Sequence, residues 1–441
     1  MSQIDKGYSL HPTTQHDILI EKLIFCADFS ALLYLPTMQI YLDYSATTPP
    51  RQEAIAAMQT AIAQHWGNAS SLHHWGNRAA TVLERARLQV ASLINAPSPE
   101  SLVFTAGGTE SDNLAIFGIT YQHVKPQHII VSAVEHSAVA GPARRLEANG
   151  WQVTWLAVNQ QGTLNPNDLK AAIKENTVLV SIIYGQSEIG TLQPIAELGA
   201  IAQASGIPFH TDAVQVAGRL PIDVQQLPVD LLSLSSHKIY GPQGAGALYI
   251  KPGTSLSPLL LGGDQENKLR SGTQAIPNIA GFGVAAELAA TEMPTETLRL
   301  IYLRDRFFAH MANVPGLVPT GDPRHRLPHH ISFCLPYSDI TGSQVTGKTL
   351  VRQMNLAGIG ISAGSACHSG QLSPSSILKA IGCDDQAAKT GIRITLGRQT
   401  TEADVDWSAM VLKQVIARAV DSAADSKAKE TASPFSFSPL L

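Results

Sequence analysis

Short apolar runs alternate with amphipathic stretches from about residue 100 to residue 235, and this rhythm limits the folds open to the chain. Leu102 to Thr105, His128 to Ser132, Gln152 to Ala157, Thr177 to Ile183, Pro208 to Thr211 and Asp230 to Leu234 read as buried strands. Between them, Ser137 to Asn149 and Pro194 to Ser205 read as helices, closed by Gly150 and Gly206. The alternation predicts an α/β fold: a large domain with a mostly parallel sheet sandwiched by helices. In such sheets ligands bind beyond the carboxyl ends of the strands. His136, Asp212 and Lys238 each follow one of these runs, so they converge on one crevice.

The rhythm changes near residue 295. Leu298 to Met311, Thr346 to Leu356 and Asp404 to Val420 read as helices, and Ile331 to Cys334 and Gly391 to Leu396 as strands, which predicts a smaller α+β domain. A glycine- and serine-rich run from Ser362 to Gly370 reads as a flexible loop, and residues 422–441 as a flexible tail. Hydrophobic residues make up 44% and charged residues 15%, a globular composition. A net charge of −4 offers no broad basic surface for nucleic acid. The apolar region from Ile18 to Leu35 is broken by Glu21, Lys22 and Asp28, and no membrane span is expected. The start, Met1 to Asp5, lacks the basic region of a secretory signal. The four cysteines, Cys26, Cys334, Cys367 and Cys383, show neither zinc-site spacing nor disulfide-scaffold density, which fits reduced thiols in a cytoplasmic enzyme.

Ser235-Ser236-His237-Lys238 follows the run that ends at Leu234 and precedes Gly241-Pro242. A lysine at the end of a buried strand either faces solvent or loses its proton and attacks a carbonyl. Flanking hydroxyl and imidazole donors suit an anion such as phosphate. A Schiff-base lysine beside a phosphate cradle is what a pyridoxal phosphate (PLP) enzyme needs. Ala106-Gly107-Gly108-Thr109-Glu110-Ser111, between a strand and a helix, is either a plain turn or an anion site at a helix N-terminus. Asp212, just past a strand, either caps a helix or keeps a pyridine nitrogen protonated, with Gln215 one turn on near a ring hydroxyl. His136 is either structural or a flat surface for an aromatic cofactor. Cys367, among small residues, is either incidental or an accessible nucleophile. Arg393 either forms a surface ion pair or grips a carboxylate with two hydrogen bonds.

Together these segments resemble the group I cysteine desulfurases, fold type I PLP enzymes of the class V aminotransferase family that serve iron–sulfur assembly and nitrogen fixation. The resemblance runs from Tyr41-Leu42-Asp43-Tyr44-Ser45-Ala46-Thr47-Thr48 to Gly397-Arg398-Gln399-Thr400-Thr401-Glu402. It includes Gly67 to His73, Gly262 to Glu266, Arg270-Ser271-Gly272-Thr273 and Ser365-Ala366-Cys367. It implies that Lys238 carries PLP and shuttles protons, His136 stacks on the ring, Asp212 meets its nitrogen and Gln215 its hydroxyl. It implies that Gly108, Thr109, Ser235 and His237 hold the phosphate, with Thr273 reaching across a homodimer. Asn68 and Arg393 would bind the carboxylate of L-cysteine. Cys367 would take the sulfur as a persulfide, leaving L-alanine, for a separate sulfur-acceptor protein such as an iron–sulfur scaffold. No metal is implied. Ser187 stands where the family has an asparagine that contacts the cofactor, Ala69 where it has proline, and Ala106 where it has serine. Residues 1–37 precede the family's usual start and are expected to be dispensable. Residues 46–294 would form the large PLP-binding domain, and 38–45 with 295–421 the small domain carrying Cys367. The rivals are a selenocysteine lyase, another fold type I PLP aminotransferase, and a non-catalytic scaffold; Cys367 speaks against an aminotransferase, and the joint presence of Lys238, Asp212, His136 and Cys367 against a scaffold.

Overall fold

A computed structural model describes residues 39–335, 345–364 and 373–431, with backbone alone for 420–431. Seven strands build the large sheet: β1 (Leu102–Thr105), β2 (His128–Ser132), β3 (Gln152–Leu156), β4 (Thr177–Ile183), β5 (Phe209–Asp212), β6 (Leu231–Ser235) and β7 (Gly246–Ile250). Their order is β1-β7-β6-β5-β4-β2-β3. Neighbours among β2 to β6 are parallel, and β7 lies antiparallel between β1 and β6. The alternation of the sequence thus gives the mostly parallel sheet it predicts. The antiparallel β7 is the strand it did not mark.

Alternate residues feed opposite faces, as the period of two requires. Val103, Ile129, Val131, Leu179, Leu231 and Leu248 pack in one cluster with residues of α3 and α4 defined below. Phe104, Ile130, Val180, Phe209, Leu232 and Tyr249 pack in another. Each fully buried side chain of this size contributes about 1.5–3 kcal/mol. The helices are α1 (Gln52–Gln64), α2 (His74–Leu93), α3 (Gly108–Thr120), α4 (Ser137–Ala148), α5 (Pro166–Ala172), α6 (Ile195–Ala204), α7 (Ile276–Met311), α8 (Gly347–Leu356), α9 (Ser376–Ala380) and α10 (Glu402–Thr431). The second cluster is completed by α2, α6 and α7. Gly150 and Gly206 follow α4 and α6 with φ of 87° and 67°, the left-handed stop that lets each chain turn back toward the sheet.

A buried ion pair ties α2 to the sheet edge. Arg87 Nη1 and Nη2 donate to Glu266 Oε2 and Oε1 at 2.7 and 2.9 Å. Glu266 Oε2 also accepts the Phe104 amide of β1 at 2.8 Å. Beyond the large sheet, β8 (Val318–Pro319), β9 (His330–Cys334), β10 (Ser362–Ala363) and β11 (Ile392–Thr395) form an antiparallel sheet in the order β10-β11-β9-β8. Phe307 and Phe308 of α7 pack on Phe333 of β9, with ring centroids 6.5 and 5.3 Å apart.

Two expectations change. The helix expected from Leu298 begins at Ile276 and runs unbroken through 294/295, where a domain boundary was expected; Pro294 lies inside it. The expected flexible tail from residue 422 is helical as far as Thr431. Alanine, lysine and glutamate in this stretch are strong helix formers, so composition that looked loose sustains the helix. The compact unit begins at Tyr41. Among the described residues no helix is long and apolar enough to cross a membrane.

Candidate active site

The carboxyl ends of β1, β2, β4, β5 and β6 surround a cavity of about 1010 Å³. Gly108, Thr109, His136, Ser187, Asp212, Gln215, Ser235, His237, Lys238 and Arg393 all line it. All but Arg393 lie at or after the ends of strands of the large sheet, which brings them together at one edge, and Arg393 comes from the small antiparallel sheet.

Lys238 closes a short 3-10 turn that follows β6 directly. Its Nζ donates to the carbonyls of Ser45 and Ala46 at 2.6 and 2.7 Å. Burial, followed by the nearby charge of Arg393, pushes its pKa from 10.5 down to about 8. A lysine in this range supplies a neutral amine near physiological pH, as a Schiff-base nucleophile requires. Burial, then the charge of Lys238, pushes His237 down to about 4. Its Nδ1 lies 3.1 Å from Thr47 Oγ1.

Asp212 ends β5 and accepts the Val214 amide at 2.9 Å. Gln215 donates from Nε2 to the Ser45 carbonyl at 2.9 Å. His136 caps α4, accepting the Ala138 amide on Nδ1 at 3.2 Å, and its ring reaches the cavity. Arg393, on β11, donates to the Ser187 carbonyl at 3.0 Å and to Asp43 Oδ1 at 2.7 Å.

The residues present fit PLP. Ser235 Oγ, Gln215 Oε1 and Arg393 Nε are buried without a hydrogen-bond partner among the described residues. Gly107 turns into α3 with φ of 155°, in a region that side chains avoid. A Cβ on Gly108 would meet Val214 Cγ2 at 2.8 Å and Ser235 Cβ at 3.5 Å. Glycine there keeps open the space between Ser235 and the first turn of α3, whose leading N–H groups have no partner within the helix. Unpaired donors at a helix N-terminus beside a free hydroxyl suit a phosphate.

Asn68 and Thr273 stand apart from this cavity in the single chain. Both are exposed, and Asn68 Oδ1 accepts the Ser70 amide at 2.9 Å. Cys367 lies outside the described residues. Sequence reasoning passed over Asp43, Asp112, Glu135 and Glu188. Asp112 and Glu135 line the cavity, and burial pushes Glu135 up to about 8. Glu188 is pushed by burial to about 7 and accepts the Ser375 hydroxyl. The sequence offered no sufficient signal for either Glu188 or Asp112, because each depends on a partner distant in the chain, Ser375 and Asp212.

The fold and this site define a class, and the comparison with known families agrees: the model for aminotransferase class-V matches residues 40–407. The chain belongs to the class-V aminotransferase family. Within it, the chain is 45% identical over 380 residues to the cysteine desulfurase IscS of Dictyoglomus turgidum, covering 86% of this chain and 94% of that protein. Among solved structures it is similar to a NifS-like protein at 30% identity and a TM-score of 0.79, covering 86% of this chain and all of the other. It is also similar to SspA in complex with cysteine, at 34% identity and a TM-score of 0.71, covering 81% of this chain and 98% of that one.

Proposed function

We propose that this chain is a PLP-dependent cysteine desulfurase. It converts L-cysteine and the Cys367 thiol to L-alanine and a Cys367 persulfide, whose outer sulfur passes to an acceptor protein such as an iron–sulfur scaffold. The observation that carries this reading is the meeting of Lys238, Asp212 and His136 at the strand ends, with the lysine held near pKa 8.

Bound in the cavity, PLP supplies an electron sink for bond changes at the amino acid. Lys238 would hold it covalently and move protons at Nζ. Asp212 would face the ring nitrogen, His136 the ring face, and Gln215 and Ser187 the ring oxygen. Gly108, Thr109, Ser235 and His237 would hold the phosphate. Arg393 would bind the substrate carboxylate, with Asp43 orienting its guanidinium; Asn68 would add a second contact. Cys367 would be the nucleophile that takes the sulfur. Thr273 would serve the neighbouring subunit of a homodimer, which accounts for its exposure in one chain. The cytoplasm suits a thiol nucleophile that must stay reduced. Residues 46–294 would act as the cofactor-binding domain and 295–421 with 38–45 as the cysteine-bearing one.

The test is alanine and sulfide release from L-cysteine by purified protein with a thiol reductant, alongside its visible spectrum. Wild type should be yellow and active. Lys238→Ala should lose the cofactor that borohydride fixes to wild type. A yellow protein that releases no alanine from cysteine would sink the reading; selenide from selenocysteine alone would make it a selenocysteine lyase.

A further inference from the structure

Of the carboxyl groups that line the cavity, Asp112 and Asp212 lie close together, and the proposed chemistry uses only Asp212. One ligand atom each from Asp112, His136 and Asp212 lies within 4.8 Å of the other two. Asp112 is 1% exposed and Asp212 5%. Carboxyl groups this close and this buried do not both ionise; one proton stays with the pair.

The surroundings decide where it stays. Burial opposes a charge on Asp212 and raises its pKa, but His136, the Val214 amide it accepts at 2.9 Å, and Lys238 all favour that charge. Asp112 faces Asp212, Glu135, His210 and the Ser233 hydroxyl. Its Oδ1 has no hydrogen-bond partner among the described residues. His210 Nε2 lies 3.6 Å away but is no cation: burial pushes its pKa down to about 3. Its ring nitrogens are already engaged by Ser181 Oγ at 2.8 Å and Ser233 Oγ at 3.0 Å. No lysine or arginine pairs with Asp112 among the described residues.

We propose that Asp112 is the protonated member of this pair, a neutral acid that leaves the single negative charge on Asp212. Burial and the charge of Asp212 hold the Asp112 carboxyl well above the usual carboxylate range, in agreement. Asp112 is a positioning residue: it acts through Asp212, whose charge the ring nitrogen of PLP requires. What that charge serves rests on the proposed function; where the proton sits does not.

The pH dependence has a definite sign. In the unfolded chain the Asp112 carboxyl ionises above its ordinary pKa of 3.8, while in the folded chain it keeps its proton. Its contribution to stability is full below that pH. It is lost as pH rises, by up to tenfold in the folding constant per unit, until the folded carboxyl ionises. Asparagine matches the neutral acid in shape and has no proton to lose.

The experiment follows denaturant unfolding of the full chain, wild type and Asp112→Asn, from pH 5 to 7, with and without PLP. The ratio of folding constants, variant over wild type, should rise with pH toward tenfold per unit. The variant should bind PLP within threefold of wild type, while Asp212→Asn weakens it tenfold or more. A ratio that is flat or falls with pH, or a loss of PLP affinity equal to that of Asp212→Asn, overturns the proposal. If Asp112→Asn does not fold, wild type labelled with carbon-13 aspartate decides. One carboxyl resonance should stay protonated well above the ordinary carboxylate range, and in Asp212→Asn, which removes the charge that helps hold the proton, it should still titrate but at lower pH. The absence of such a resonance in wild type, or its disappearance at every pH in Asp212→Asn, overturns the assignment. Wild type that binds no PLP would remove the proposed function and leave the pH measurements to decide the site of the proton.

Discussion

Glu266→Ala should cost this protein more stability than any surface substitution, and the pair it breaks allows the loss to be worked out. The side chains of Arg87 and Glu266 are 8% and 1% exposed. Removing the carboxylate leaves the buried guanidinium only the exposed Glu84 carboxylate, 3.2 Å from Nε, and the Leu102 carbonyl, which puts the cost at the low end of about 3–5 kcal/mol. The Phe104 amide also loses its acceptor, adding about 1–3 kcal/mol. Overlap between these terms leaves a net loss of about 5 kcal/mol. Glu266 has φ of 49°, and alanine there carries the same backbone strain, so the loss reports the side chain. At roughly 2.1 cal/mol/K per residue over about 400 residues, the melting temperature should fall by about 6 °C. Reversible urea unfolding measures the loss directly. Arg87→Met combined with Glu266→Ala should recover at least about 2 kcal/mol of the summed single losses, because neither charge is then orphaned. A loss under about 1 kcal/mol, or strict additivity, would refute the reasoning. The consequence reaches the site: β1 carries the Phe104 amide and leads directly into Ala106-Gly107-Gly108, so the variant should also bind PLP less tightly.

His210 is buried and neutral at about pKa 3, whereas in the unfolded chain it charges below about 6.5, so its contribution is present above that pH and is lost as pH falls toward 3. Acid unfolding of His210→Gln should therefore be shallower than that of wild type between pH 6 and 4; an identical slope would contradict this. Cys367→Ser should keep the yellow colour and lose sulfide release, since the cofactor cradle lies on the strand ends; sulfide release at the wild-type rate would remove Cys367 as nucleophile. Ser187→Asn should move the pH titration of the bound cofactor's absorbance to lower pH by about one unit, because a better donor to a charged oxygen is worth about 1.5–3 kcal/mol. An unchanged titration would mean that serine already makes the contact.

Residues fixed by local rules were legible from sequence. The strand runs from Leu102 to Ser235 alternate so regularly that the parallel sheet, and with it the meeting of His136, Asp212 and Lys238, follows from chain order. Gly150 and Gly206 marked helix ends to within a residue or two. What was not legible depends on tertiary partners. The run Gly246–Ile250 is equally apolar, but only its antiparallel fit between β1 and β6 makes it a strand. Asp112 reads as an ordinary helical acid until the fold sets it against Asp212. Glu188 acquires its meaning only from Ser375, far along the chain. The serine that replaces the family's asparagine is plain in the sequence, yet its carbonyl is what accepts from Arg393 and His330, at 3.0 and 3.1 Å. No residue type at 187 encodes those.

The unbroken helix α7 makes the protein mechanically stiff in one direction. Its 36 residues extend about 54 Å at 1.5 Å per residue. One end packs among the helices that cover the large sheet, and the other lies against Phe333 of the small one. It acts as a girder, and a bend between the two sheets must pass through it. Pro294 is the place of least resistance, because it lacks the N–H that would close one turn. Opening and closing motions are thus confined to flexing at one joint or to sliding along the girder. Spin labels at its two ends should keep a constant separation when cysteine is added, unless Pro294 gives way.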